Sequence, residues 1–183
     1  MFIQTEQTPN PQTLKFFPGR VVMKEGTAFY QNTNEAKNSP FAQRLFEVEG
    51  VKGVFFGSDF ITITKSDSIN WEVIKPSILG SIMDHFNSNE ETIINKLDNN
   101  KLNEGSNNND EQDSEIVQQI KELLNTRVRP AVAMDGGDIV YQSFEDGVVY
   151  LHMQGSCSGC PSSTATLKMG IENMLKHYVP EVK

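Results

Sequence analysis

Two cysteines stand two residues apart in the stretch GSCSGCPSS, residues 155–163, and the 183-residue chain holds no others. Cys157 and Cys160 have the spacing of a metal-binding or redox pair. The thiolate is the form that ligates or attacks, so the question is what would stabilise it. Gly155 and Gly159 let the loop bring backbone amides close to sulfur. Leu167, Ile171, Met174, Leu175 and Tyr178 then recur at helical spacing, which starts a helix at or just after Cys160. The unpaired N–H groups and partial positive charge of that helix start lower the pKa of a thiol placed there, Cys160 above all.

Several chemistries share this spacing. A thioredoxin-like dithiol oxidoreductase carries its CxxC after a strand of a parallel βαβ unit, whereas the runs before this loop read as an antiparallel hairpin and the flanking residues are Ser and Gly. A zinc site needs four ligands, and neither His85, His152 nor His177 is spaced to complete this loop. His152 is expected on a strand, and His85 and His177 at helix ends, where the dipole favours a cationic ring. Two inert buried thiols would be an odd filling for a Gly/Ser loop. A last reading completes the ligand set by symmetry: a closed two-fold dimer supplies four thiolates, the number an iron–sulfur cluster takes. A cluster shared between copies is released by parting them, which suits a carrier.

Bulk properties narrow the field. A structural disulfide is disfavoured in a reducing compartment, and one closing so short a loop constrains little. The net charge of −8, from 24 acidic and 16 basic residues, argues against nucleic acid as a partner. No run approaches the roughly 20 apolar residues of a membrane span. The start, MFIQTEQTPNPQ, has neither the basic opening nor the apolar stretch of a secretory signal, and is not an Arg-rich transit peptide. The expected location is a bacterial cytoplasm, or the mitochondrial matrix for a processed form.

The elements that must position the cysteines divide into two sets. Residues 1–88 read as α+β. FIQTE and TLKFF flank the turn TPNPQ, Ser39-Pro40 starts a short helix that Gly50 ends, and VKGVFFG and FITITK form a hairpin. Ile74, Ile78, Ile82 and His85/Phe86 make one stripe of a helix over 71–86, with Pro76 tolerated early in it. Phe16, Phe17, Phe55, Phe56 and Trp71 are mostly core, but each FF pair puts one ring on each strand face, and an exposed ring would mark a docking surface. Residues 89–113, rich in Asn, Asp, Glu and Gly, read as a flexible linker. In residues 114–183 a helical stripe runs from Ile116 to Val128, Pro130 kinks or ends it, and DIVYQSF and VVYLHMQ form a second hairpin. Gly136 and Gly137 are expected as a helix cap and turn, Asp138 as a turn acid, and Arg127 and Arg129 as a solvated helix end. The fold class is therefore α+β, two small α/β-sandwich-like domains on a flexible linker.

RPAVAMDGGDIVYQSF and GVVYLHMQGSCSGCPSSTATLKMGIENMLKHYVPEV resemble the NifU C-terminal (Nfu) domain over 114–183. QTEQTPNPQTLKFFPG, SPFAQRLFEVEGVKGVFFGSDFITITK and WEVIKPSILGSIMDHF resemble the Nfu N-terminal domain. The resemblance implies a non-enzymatic iron–sulfur scaffold or carrier, with Cys157 and Cys160 as ligands of a [4Fe–4S] cluster, or alternatively a [2Fe–2S] one, bridging a homodimer. It implies upstream assembly proteins as donors and client apoproteins as acceptors.

Overall fold

The computed structural model describes residues 2–94, 115–159 and 161–183. Cys160 and residues 95–113 of the expected linker lie outside them. The chain divides into two compact units, Met1–Leu97 and Asp98–Lys183, each combining helices with an antiparallel sheet.

In the first unit, β1 (Gln4–Gln7) and β2 (Thr13–Phe17) pair across the TPNPQ turn. Asn10 shapes that turn: its side-chain Oδ1 accepts from Gln12 N at 3.0 Å, and its carbonyl accepts from Thr13 N at 3.0 Å. There follow β3 (Ala28–Tyr30), a 3-10 turn (Glu35–Asn38), α1 (Pro40–Phe46), β4 (Val51–Phe56), β5 (Ile61–Lys65) and α2 (Trp71–Ser88). The strands form one antiparallel sheet in the order β1-β2-β5-β4-β3. As the sequence indicates, Ser39 Oγ accepts from Ala42 N at 3.1 Å and Pro40 fills the first helical position. Phe41 and Leu45 of α1, with Ile74, Ile78 and Ile82 of α2, pack on a sheet face that includes Phe16, Val54, Phe56, Ile61 and Ile63. Burying each of these large side chains contributes about 1.5–3 kcal/mol.

Three expectations for this unit change. Phe55 is buried like Phe56, and Phe17 is half-buried, so neither pair offers an exposed ring. The face opposite the helices carries Lys15, Thr62, Phe55 and Phe29 in register across four strands, with the Lys15 ammonium 4.4 Å from the Phe60 ring centroid and 4.8 Å from that of Phe17. His85 is not a charged helix-end residue. It is 1% exposed and stacks on Phe41 at 3.8 Å, because it falls three residues after Ile82 on the buried stripe of α2. Burial, helped by Arg44, pushes its pKa down to about 4. Finally, the unit continues past residue 88. Glu90 pairs with Arg44 at 3.0 Å, Ser39 Oγ donates to Thr92 O at 2.5 Å, and Ile94 N donates to Asn38 O at 2.8 Å.

The second unit holds α3 (Glu115–Leu123), a π-helical turn (Leu124–Val128), α4 (Arg129–Met134), β6 (Gly137–Glu145), β7 (Val148–Gly155) and α5 (Pro161–Tyr178). The helical path does not stop at Pro130. The wider π turn comes just before it, and Pro130 sits in the first turn of α4, where a missing N–H costs little. β6 and β7 form the expected hairpin, turning through Asp146 at φ 51° and Gly147 at φ 84°. Ile120, Leu124, Val132, Ile139, Ile171 and Leu175 lie in the core between helices and hairpin.

Candidate metal centre

The cysteine loop is held between the start of β6 and the end of β7. Their antiparallel register sets Gly137 opposite Gly155. After α4 the chain turns at Gly136, φ 85°, and Gly136 O accepts from Ser156 N at 3.2 Å. Ser156 Oγ donates to Asp135 O. Gly155 (φ 67°) and Gly159 (φ 88°) supply the left-handed backbone of the loop, and Ser158 N donates to Gly155 O at 3.1 Å. Thr164 Oγ1 donates to Cys157 O at 3.1 Å, tying the loop to α5, which begins at the residue after Cys160.

Cys157 is 5% exposed. Gly136 is the turn residue its sequence context suggests, but Gly137 does more than turn. A Cβ there would lie 2.9 Å from Cys157 Sγ, 3.3 Å from Cys157 N and 2.5 Å from Gln154 O. Only glycine lets β6 lie this close to the sulfur. The loop's glycines and amides point to a nest for thiolates, yet at Cys157 the balance runs the other way. Burial pushes its thiol pKa up, Ser156 hydrogen bonding opposes that, and the Asp135 and Asp138 charges add to it. A metal bound there would supply the compensating charge and deprotonate the coordinating thiol.

Asp138 and Arg129 depart from their expected roles. Asp138 is 3% exposed, and its carboxylate accepts from Arg129 Nε at 2.8 Å and Nη2 at 2.7 Å. Oδ1 also accepts from Ile139 N at 2.8 Å. Arg129 is thus a partner of a buried acid, while Arg127 stacks over the Tyr178 ring at 4.9 Å. Sequence reasoning missed this pair because it joins a helix to a strand, with no common periodicity to reveal it. His152 lies on β7 and His177 in the last turn of α5, as expected, and both are exposed. Among the described residues no group of three or more His, Cys, Asp or Glu side chains is arranged to hold a metal ion.

Two family models match the chain. "Scaffold protein Nfu/NifU N terminal" covers residues 3–89, and "NifU-like domain" covers residues 120–183, which includes the cysteine loop. The chain is 50% identical over 184 residues to an NFU1 iron-sulfur cluster scaffold homolog, mitochondrial, of Homo sapiens, covering all of this chain and 70% of that protein. The chain belongs to the Nfu/NifU-like iron–sulfur cluster scaffold family. It is also similar to NifU-like proteins 4 and 5, mitochondrial, of Arabidopsis thaliana, each 52% identical over 185 residues. This Nfu-family chain spans 64% and 66% of the length of those two plant relatives. A solved NifU-like protein of Saccharomyces cerevisiae aligns with 52% of the chain, and the chain with 86% of it, at 30% identity and TM-score 0.46. Neither the relatives nor the family models lend support to a dithiol oxidoreductase.

Proposed function

We propose that the chain is a non-enzymatic carrier. It holds a [4Fe–4S] cluster between the Cys157 and Cys160 thiolates of two copies, accepts it from upstream assembly proteins and passes it to client apoproteins. The observation that carries this reading is the placement of the CxxC loop. It lies inside the NifU-like domain, at the turn into α5, with Cys157 pressed against the side-chain-free Gly137. The scaffold names of the relatives support cluster handling. Two thiols per chain leave a cluster that takes four cysteines half-ligated, and a second copy completes it. Cluster binding then becomes dimer stability by linkage. A [2Fe–2S] cluster would satisfy the same four thiolates. The mitochondrial relatives favour the mitochondrial matrix over a bacterial cytoplasm.

Anaerobic reconstitution with iron and sulfide tests it, read by iron per chain and by light scattering before and after chelation. About four irons per two chains are expected, with the dimer dissociating as iron is removed. Cys157→Ser or Cys160→Ser should each abolish both. A monomeric loaded form, or either variant retaining a full cluster, would overturn the bridging arrangement.

A further inference from the structure

We infer that Arg129 is the positioning residue of the cysteine site: its guanidinium clamps Asp138 and so holds Gly137 against Cys157. This rests on Cys157 being a cluster ligand. Arg129 acts through the backbone it anchors. Each of its three nitrogens has a partner. Nε and Nη2 grip the two oxygens of Asp138 at 2.8 and 2.7 Å, and Nη1 donates to Asn125 Oδ1 at 3.1 Å. Asn125 belongs to the π turn and Asp138 to β6, so one side chain joins the helical segment to the strand. Gly137, the residue before Asp138, is the one that meets Cys157 Sγ, and Gly136 and Asp135 hold Ser156 through their carbonyls. Residues 135–138 form the wall behind the sulfur, and the clamp fixes its far end. The two-point grip needs a planar fork of donors, which lysine lacks.

The full-length chain carries the test as Arg129→Lys, with Arg127→Lys as the control from the same helical stretch. In the apo protein, the rate of Cys157 alkylation by N-ethylmaleimide is followed by peptide mass spectrometry. In the reconstituted protein, iron loss to a ferrous chelator and the visible circular dichroism of the cluster are recorded. Hydrogen exchange of the Ile120 and Leu175 amides reports the stability of the unit as a whole. Arg129→Lys should speed both alkylation and iron loss by about tenfold, the lower end of what loss of a ligand-orienting partner costs. It should alter the cluster spectrum and leave core exchange unchanged, while Arg127→Lys matches wild type. Wild-type rates in Arg129→Lys would overturn the inference, as would rates that rise only in step with core exchange. Should Arg129→Lys not fold, Asp138→Asn decides by iron loss, the cluster spectrum and core exchange, because loss of the carboxylate charge by itself changes the alkylation rate. If the wild-type chain takes up no iron, the cluster reading fails, and the alkylation rates still decide whether Arg129 positions Cys157.

Discussion

Two buried ionisable side chains, His85 in one unit and Asp138 in the other, are held in opposite ways. In the first, His85 lies between aromatic rings, stacked on Phe41 and edge-on to Phe86 at 5.2 Å, and burial keeps it neutral. Its Nδ1 has no hydrogen-bond partner among the described residues. In the second, the Asp138 carboxylate is met by the Arg129 guanidinium and a backbone N–H. The first arrangement spends the ring on packing. The second fixes a strand end against a sulfur. The difference separates a unit built for its core from one whose polar contacts serve a site.

The sharpest way to break this contrast is to damage the first core and watch the second site. Phe41 is fully buried and also stacks on Phe56 at 5.1 Å. Phe41→Ala should destabilise the first unit by about 3–5 kcal/mol in urea denaturation. Iron uptake by reconstitution should stay at the wild-type level; a parallel loss of iron would show that the two are not separable.

A smaller effect comes from pH. His85 titrates near its ordinary value in the unfolded chain but only at about 4 when folded. The folded state therefore resists protonation, so the stabilisation is complete above about pH 6.5 and is lost as pH falls from there toward about 4. The full loss is on the order of 3 kcal/mol. Urea midpoints of the first unit between pH 7 and 4 should show this slope, and His85→Phe should flatten it. An unchanged slope in that variant would locate the effect elsewhere.

The smallest effect concerns Ser39, which caps α1 and reaches Thr92 with the same oxygen. Ser39→Ala should cost about 1 kcal/mol and speed hydrogen exchange at the Ile94 amide. Protection at Ile94 equal to wild type would mean that residues 90–94 hold their place without this bond.

What the chain discloses before folding follows from whether the cause is local. Ser39-Pro40, the Gly57 hairpin, the Ile74–Ile78–Ile82 stripe and the Cys157 loop are legible because each depends on neighbours within a few residues. β3 is not, since Ala-Phe-Tyr is too short to alternate and is a strand only by pairing with β4. His85 belongs to a readable stripe, yet its neutrality depends on Phe41 arriving from another helix. Asp138 looks like any acid in a glycine turn until Arg129 is placed beside it. Pro130 signals a break, and only the π turn ahead of it shows how the helical path survives.

That π turn has a cost and a use. A regular helix advances about 100° per residue, so one residue more or fewer rotates everything beyond it by that angle. Removing a single residue from 124–128 would let α3 run into α4 as an uninterrupted α-helix, a more regular ladder with fewer atoms. Winding all five residues as regular α-helix would instead carry Arg129 around the axis by the greater part of one residue's angle, away from Asp138. The irregular turn acts as a phase setter: the chain gives up helical regularity at one place to bring a side chain into step with a strand nine positions later.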